Sequence, residues 1–375
     1  MSEYKFDEKN NKENINLINS NKVNKSTLKN KRIEYFEWLR VFSCFSVVVL
    51  HVSGQKWYSS QILSHEWKIF NFYNSIVRFG VPIFFMISGT IFLEKDISFG
   101  IMLNKYIKSI YIKLLFWSFF YSLREKIIYK NNYKKTFLIF LNGHIHLWYL
   151  FRICGLYLVT PFLKQIVKKE KLFKIFLVLH LFFCLLFPNL LIVLFYNSKD
   201  YYKTLKDIIS KIGLNGFLNH NQMYYIFGFY LNRYNIKPLF RIIFYFLGII
   251  GNTFTFQLTY YISFKENKKI HFYSGFFINV FIASIGIFIF FKYNFNNLKC
   301  KKNIKEFIQK LGRLTFGIYI IHPFVIGEFN RRYNINTLSF EPLYSVPINS
   351  LITFLISLIL VYIMKLIPFI NQYIL

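Results

Sequence analysis

Apolar segments long enough to cross a lipid bilayer recur along most of this chain. The hydrocarbon core of a bilayer is about 30 Å thick, and an α-helix needs roughly 20 predominantly apolar residues to cross it. Because backbone N–H and C=O groups find no water there, the chain must satisfy them internally, as a helix does. The pattern predicts an all-α polytopic membrane protein with about ten transmembrane helices. The segments lie at about 38–55, 69–93, 106–123, 144–163, 172–196, 222–236, 239–264, 271–291, 312–329 and 345–367.

The composition leaves little material for a separate water-soluble domain. Hydrophobic residues make up 54% of the 375 residues, and aromatic residues make up 22%. The sixth segment, 222–236, is short and contains Tyr224, Tyr225 and Asn232. A re-entrant helix is the alternative there, and it would change the number of spans.

The distribution of Lys and Arg predicts the orientation in the membrane. With the N-terminus inside, the predicted cytoplasmic segments hold more Lys and Arg than the outer loops, as positive-inside topology requires. Residues 1–33 are rich in Asn and Lys and lack the apolar region of a signal peptide, so we expect a disordered basic cytoplasmic tail. The transmembrane domain would occupy 34–375, in the cell membrane with both termini cytoplasmic.

The formal net charge of +30 does not point to a nucleic-acid partner. Lys is spread over many loops rather than gathered on one stripe, so membrane lipids with anionic head groups are the expected counter-charge. The four cysteines fall in predicted spans or a cytoplasmic loop and have no CxxC spacing. This distribution predicts neither a disulfide framework nor a metal site.

Ionisable residues inside the spans are the candidate functional residues, because charge in hydrocarbon is costly and usually functional. Arg40 and His51 are eleven residues apart in the first segment, which returns to nearly the same helix face about 16 Å further along. Arg40 would then lie near the cytoplasmic mouth and His51 in the outer half of the membrane. We expect a single polar site that opens towards the outer side. The residues of other segments that reach the outer half are Arg78, His146, His322 and Glu328.

Each of these residues also has a structural alternative. His146 could belong to an aromatic belt at the membrane interface. His322 could satisfy a carbonyl that Pro323 deprives of its helical donor. The side chains of Arg78 and Arg40 could extend to the outer and inner head groups, respectively.

The chemistry that this set can perform is acyl transfer. A neutral imidazole can accept a proton from a hydroxyl group as its oxygen attacks an acyl carbon, which makes His51 the candidate general base. Arg78 keeps its charge and is the candidate partner of a developing oxyanion or of a phosphate. Arg40 suits an anionic donor, such as a phosphate-bearing thioester, that enters from the cytoplasm. The candidate substrate-binding residues are His146, His322 and Glu328.

Two other classes of function could use the same cluster. A transporter or flippase for a glycan or lipid-linked sugar would bind a substrate phosphate there without acyl transfer. All 17 acidic residues lie in tails, loops or span ends, which disfavours a proton-coupled carrier. A membrane sensor would use the titration of its histidines near neutral pH.

Five motifs occur in order along the chain: EWLRVFSCFSVVVLHV at 37–52, VRFGVPIFFMISGTIFL at 77–93, HLWYL at 146–150 followed by GLYLVTPFL at 155–163, YYIFGFYL at 224–231, and LTFGIYIIHPFVI at 314–326. Together they resemble the membrane-bound acyltransferase 3 family, whose members O-acetylate surface glycans. The second motif is most similar to the branch that includes the enterobacterial-common-antigen O-acetyltransferase and the intercellular-adhesin O-acyltransferase.

The resemblance implies a ten-helix domain that transfers an acetyl group from cytoplasmic acetyl-CoA to a glycan hydroxyl on the outer side. The family's first-helix arginine and histidine fall on Arg40 and His51, and its second-helix arginine falls on Arg78. Acyl-CoA would be a donor substrate rather than a permanently bound cofactor, and the acceptor would be a surface or lipid-linked glycan. Arg152 departs from the pattern, which has an apolar residue there, and the loop 196–221 has its own Lys, Asp and Tyr content. The acceptor sugar, succinyl in place of acetyl, and an acyl-histidine intermediate therefore stay open.

Overall fold

The computed structural model describes residues 34–195, 218–296 and 300–375, together with Asp207, Lys211 and Leu298. Within these residues every regular element is a helix and no β-strand occurs, so the all-α prediction is confirmed for this part of the chain. The predicted tail 1–33 and most of the predicted outer loop 196–221 lie outside the described residues.

Short 3₁₀ or π-helical turns precede or join several of the described α-helices. A π-helical turn at Met102–Ile107 precedes α4, a 3₁₀ turn at Ile145–Leu147 precedes α6, and a second π-helical turn at Leu181–Leu186 joins α7 to α8. A three-residue α-helical turn, Phe99–Ile101, leads into the first π-helical turn. The longer α-helices are α1 (Glu34–Gly54), α2 (His65–Ile76), α3 (Gly80–Glu94), α4 (Lys108–Tyr129), α5 (Tyr133–Asn142), α6 (Trp148–Lys168), α7 (Glu170–His180), α8 (Phe187–Phe195), α9 (His220–Arg233), α10 (Pro238–Lys265), α11 (Ile278–Asn294), α12 (Lys302–Gly312), α13 (Thr315–Tyr333), α14 (Pro342–Lys365) and α15 (Pro368–Tyr373).

Six helical stretches of the described residues are long and apolar enough to cross a membrane. The other predicted segments coincide with helices that are shorter or carry more charge, such as α4, α9 and α13. The chain is therefore a multi-pass membrane protein, and the number of about ten spans stays a prediction. The six stretches are Glu34–Gly54, His65–Glu94, Tyr133–Lys168, Glu170–Leu194, Pro238–Lys265 and Pro342–Lys365.

The second predicted segment is not one continuous helix. Helix α2 ends at Ile76 and α3 begins at Gly80, so Arg78 lies in the turn between them. Pro82 explains this break, because a proline ring collides with the carbonyl group four residues earlier, which here belongs to Arg78. Arg78 is therefore placed at the junction of two helices rather than on the face of one.

Helices α3 and α9 cross in close contact through two glycines. A Cβ atom on Gly89 would lie 1.8 Å from the carbonyl oxygen of Tyr225, and one on Gly228 would lie 2.2 Å from the carbonyl oxygen of Met86. Small residues allow membrane helices to approach until their main chains touch. The crossing lies in a hydrophobic core that also includes residues of α1, α6 and α11.

A second hydrophobic core packs α1 against α4, α13 and α14. Polar side chains in it bond to main-chain oxygens: the hydroxyl group of Tyr121 donates to Ile320 at 2.7 Å, and the thiol of Cys44 donates to Thr315 at 3.4 Å. Helix α1 contributes to both cores and thus lies between them. A polar residue on α1 can for that reason face the interior of the protein.

The glycine crossing gives a prediction about stability. Gly89→Ala and Gly228→Ala should each lower the free energy of unfolding by about 3 kcal/mol or more, because the new methyl group meets main-chain atoms that cannot rotate away. Thermal unfolding in detergent, followed by tryptophan fluorescence, measures the loss.

The matched control is Gly155→Ala, where the new Cβ would meet nothing within 4 Å. It should leave stability unchanged or raise it slightly, since alanine favours the helix. Equal melting temperatures for Gly89→Ala and Gly155→Ala would contradict the close crossing.

Candidate active site

A cavity of about 380 Å³ lies among α1, α3, α6, α9, α13 and the connection between α10 and α11. Its lining combines aromatic rings with several ionisable side chains, the composition typical of a site that binds and orients a small polar group. The lining residues are Val47, Leu50, His51, Arg78, Val81, Pro82, Phe85, His146, Trp148, Tyr149, His220, Asn221, Tyr224, His271, Tyr273, Ser274, Gly275 and Tyr319.

Three residues that the sequence predicts for the site line this cavity together. His51 comes from α1, Arg78 from the turn before α3, and His146 from the 3₁₀ turn before α6. They converge although 95 residues separate the first from the last in the sequence. The convergence satisfies the geometric requirement for one polar site, while the roles assigned to these residues stay predictions.

His322 lies behind the cavity wall and contacts two of the lining histidines. Its ring centroid is 5.0 Å from that of His51 and 6.0 Å from that of His146. The Nδ1 atom lies 3.2 Å from the carbonyl oxygen of Ile318. Because a carbonyl only accepts, Nδ1 must carry the hydrogen in this contact. Nε2 is then an unprotonated acceptor in the neutral ring, and it is buried without a hydrogen-bond partner among the described residues.

Nδ1 of His322 bonds the carbonyl of Ile318, whereas the carbonyl that Pro323 deprives of its helical donor belongs to Tyr319, four residues before the proline. The free Nε2 shows that the bond to Ile318 occupies only one of its two nitrogens. A buried acceptor without a partner costs free energy of about 1–3 kcal/mol, and this one belongs to the ring that packs against His51.

A fourth histidine, His144, extends the set towards Glu125. The Nδ1 atoms of His144 and His146 lie 2.6 Å apart, and Nε2 of His146 lies 3.2 Å from the carbonyl oxygen of Ile320. The carbonyl makes Nε2 of His146 a donor, so its Nδ1 accepts from His144 when the rings are neutral. Nε2 of His144 lies 3.8 Å from a carboxylate oxygen of Glu125. The sequence analysis missed His144, although the H-x-H spacing in GHIHL could have indicated it.

Arg78 is held by a ring and an amide rather than by a carboxylate. Its guanidinium carbon lies 3.9 Å from the ring centroid of Tyr273, and Nη2 donates to Oδ1 of Asn74 at 2.5 Å. Nε is buried without a partner, and among the described residues no carboxylate lies within 4.0 Å of the guanidinium. These contacts direct the side chain into the protein, against the alternative that it extends to the head groups. Its charge stays available for an anion.

The partners of Arg78 are themselves fixed by hydrogen bonds. The amide nitrogen of Asn74 donates to the hydroxyl oxygen of Ser53 at 2.8 Å. The hydroxyl group of Tyr273 donates to the side-chain oxygen of Asn71. Asn71, Asn74 and Arg78 are spaced three and four residues apart in an apolar segment, a signal that could have indicated the two asparagines. Tyr273 had no such signal.

Arg40 is not part of the cavity lining. Its Nη1 atom forms an ion pair with Oε1 of Glu37 at 2.8 Å, and the side chain of Glu37 is 4% exposed. Arg40 lies on α1 eleven residues before His51. Glu37 is an acidic neighbour that the sequence did not indicate for it. Donor binding by Arg40 stays a prediction.

Glu328 is also outside the cavity lining. Its carboxylate accepts from Arg124 at 2.8 Å and from Arg331 and Arg332 at 2.6 Å each. The side chain is 14% exposed and joins α13 to α4. These ion pairs give Glu328 a structural task, and its role in substrate binding stays a prediction.

The connection between α10 and α11 differs from the sequence prediction. The eighth predicted segment starts at residue 271, whereas α11 begins at Ile278. Residues 271–275 form part of the cavity wall instead. The hydroxyl group of Tyr224 donates to the carbonyl oxygen of Gly275 at 2.7 Å, which fixes this connection to α9.

Among the described residues no group of three His, Cys, Asp or Glu side chains could hold a metal ion.

His271, in the same connection, gives a prediction about titration. Burial lowers the pKa of His271 below 6.5, and the positive charge of Arg78 lowers it further. Arg78→Gln should therefore raise the pKa of His271 back towards its ordinary value, because protonation would no longer bring two cations together. NMR of ¹⁵N-histidine-labelled protein in nanodiscs measures this pKa, with His271→Gln to assign the signal. A lower or unchanged pKa of His271 in Arg78→Gln would contradict the close approach of these two residues.

One comparison with known proteins identifies the family of this chain. No curated protein and no solved structure matches it significantly. The family model described as an acyltransferase domain matches residues 33–365, which include α1 to α14 with only the first residue lying before α1. The predicted resemblance is thereby confirmed at the level of the family, although not at the level of its branch. The chain belongs to the acyltransferase 3 family of membrane acyltransferases.

Proposed function

We propose that this protein is an O-acetyltransferase of the cell membrane. It would take an acetyl group from cytoplasmic acetyl-CoA and transfer it to a hydroxyl group of a glycan outside the cytoplasm, with both of its own termini inside. The observation that carries the proposal is the convergence of His51, Arg78 and His146 on one cavity in a chain of this family.

His51 is the proposed general base. It lines the cavity, and no hydrogen bond to another described residue occupies its ring. As the acceptor oxygen bonds to the thioester carbon, the imidazole takes the hydroxyl proton. The carbon–sulfur bond then breaks, and the departing thiolate takes that proton from the imidazolium. Free CoA and neutral His51 are the result.

Arg78 is the proposed partner of the oxygen that becomes negative in this step. Its charge has no carboxylate among the described residues to neutralise it, and its position is set in advance by Tyr273 and Asn74. Donors that are already oriented towards a developing charge stabilise the transition state more than the ground state. This would lower the barrier without reorganisation of the site.

His322 is a proposed positioning residue. Its ring packs against that of His51 with the centroids 5.0 Å apart, so it would limit the orientations that the His51 imidazole can adopt. His322 would thus act through His51 and not on substrate.

Arg40 is the proposed contact for the anionic part of the donor. It lies on the same helix as His51, eleven residues earlier, at the end that the proposed orientation puts on the cytoplasmic side. The extended arm of acetyl-CoA would pass from Arg40 towards His51 along α1. His146 lines the cavity from the 3₁₀ turn before α6. Its two ring nitrogens are engaged by His144 and Ile320, so it would contact the acceptor sugar through the carbon atoms of its ring.

The test of the proposed base is His51→Gln. With purified protein in liposomes, radiolabelled acetyl-CoA inside and a panel of glycans outside, acetyl transfer should fall at least about 100-fold. Binding of acetyl-CoA should remain, because the donor is held elsewhere. His65→Gln is the matched control, since His65 is an exposed histidine paired with Glu341 and outside the cavity.

Full transfer by His51→Gln would refute the proposed mechanism. Movement of glycan without consumption of acetyl-CoA would indicate a carrier instead. Mass spectrometry of protein incubated with donor alone tests for an acyl-histidine, the covalent alternative to direct transfer.

The test of the proposed oxyanion partner compares two substitutions of Arg78. Arg78→Gln should lower kcat/KM about 100- to 1000-fold, because the charge is lost from the transition state. Arg78→Lys should recover only part of this, since lysine keeps the charge but not the planar set of donors. Liposome transfer rates measure both.

Arg241→Gln is the matched control for Arg78. Arg241 also lies over a tyrosine ring, with its guanidinium carbon 3.5 Å from the centroid of Tyr293, but it is remote from the cavity lining. Equal losses for the Arg78 and Arg241 variants would assign the effect to folding and contradict the role of Arg78.

A further inference from the structure

A second cavity of about 380 Å³ runs along one face of α6 and reaches the start of α9. Its apolar residues extend from Phe151 to Ile166, about 22 Å along the helix axis at 1.5 Å per residue. Phe162 and Val159 in it are 72% and 38% exposed, so the groove opens to the outside of the helix bundle. On a membrane protein this surface faces lipid.

The polar residues of the groove are confined to one end. Arg152, Asn219, Asn221 and Gln222 lie there, while the rest of the lining is apolar. The side chain of Arg152 is exposed, and among the described residues it has neither a hydrogen bond nor an ion pair. A cation at a lipid-facing position needs a counter-charge, because an unpaired charge there is costly. This is the residue that departs from the family pattern in the sequence.

The polar end of the groove adjoins the candidate active site. Asn221 lines both cavities. His220, the preceding residue, lines the active-site cavity and interacts electrostatically with Arg152. A group bound at Arg152 is therefore next to the cavity that holds His51 and Arg78.

From this arrangement we infer that the acceptor is a lipid-linked saccharide, carried on a single-chain lipid phosphate. The chain lies in the groove along α6, the phosphate pairs with Arg152, and the saccharide enters the active-site cavity past Asn221. The inference rests on the proposed function and specifies its acceptor. A soluble glycan would use neither the apolar groove nor its cation.

The shape of the groove favours one hydrocarbon chain over two. The apolar lining belongs to a single face of a single helix, so a diacyl phospholipid would leave one chain outside. Guanidinium binds phosphate with paired, charge-assisted hydrogen bonds, which favours a phosphate over a neutral alcohol at the head of that chain.

The experiment measures capture of a photoactivatable decaprenyl phosphate in phosphatidylcholine nanodiscs, without any donor. Labelling should map to α6 or to residues 219–222, and unlabelled decaprenyl phosphate should compete about tenfold better than decaprenol. Arg152→Gln should remove this tenfold difference. Gly155→Leu should reduce capture of both lipids, because Gly155 lines the groove and a Cβ atom there meets nothing within 4 Å, so the leucine would occupy the groove.

Two matched controls should behave as wild type. Lys134→Gln removes an exposed cation that does not line the groove, and Gly100→Leu adds a side chain at a glycine with nothing within 4 Å, also outside the groove. His51→Gln should retain lipid capture while it loses acetyl transfer. Failure of the lipid inference is thereby separable from failure of the proposed function.

Four results would each overturn the inference. Equal competition by decaprenol and its phosphate would show only an apolar surface. Equal competition by phosphatidylglycerol would assign the groove to bulk anionic lipid, and displacement by millimolar inorganic phosphate would assign Arg152 to a free anion. Unchanged lipid capture by Arg152→Gln would show that Arg152 does not bind the lipid phosphate.

Discussion

The packing of the Arg78 guanidinium on the ring of Tyr273 connects the parts of the chain that surround the candidate site. It joins the turn between α2 and α3 to the connection between α10 and α11. Asn74 and Ser53 continue the contact to α2 and α1 through hydrogen bonds. Rings and amides around a charge that has no carboxylate partner lower the cost of holding it inside a membrane protein. The same surroundings leave its charge free to act on a substrate.

The histidines around the cavity differ in how many of their ring nitrogens form hydrogen bonds with described residues. His146 is engaged on both nitrogens, by Ile320 and by His144, whereas His322 has one nitrogen engaged and one free. His51 has neither nitrogen bonded to another described residue and faces the cavity. The ring with the fewest structural ties is thus the one best able to exchange a proton, while its neighbours determine its orientation.

How much of the site could be predicted depends on the range of the contacts involved. Arg40 and His51 share a helix face because eleven residues are close to a whole number of turns, and such local periodicity is visible in any sequence. Segment 69–93 was predicted as one continuous span, because its hydrophobicity does not show where a helix is broken. The break at Arg78 follows from Pro82. Tyr273 and His144 became site residues only through contacts with other helices. Glu328 is paired with three arginines that the sequence did not assign to it, and its role in substrate binding stays a prediction.

By itself the sequence determined the environment, the secondary structure and the family. Long apolar segments are compatible only with helices in a bilayer, because hydrocarbon offers no partner to an open backbone. Tertiary structure alone decided which ionisable residues meet. Apolar faces that contact lipid and apolar faces that contact another helix have the same composition, so nothing in a single segment tells which way its polar residue points. The crossing at Gly89 and Gly228 and the placement of Arg152 in the groove were decided at that level.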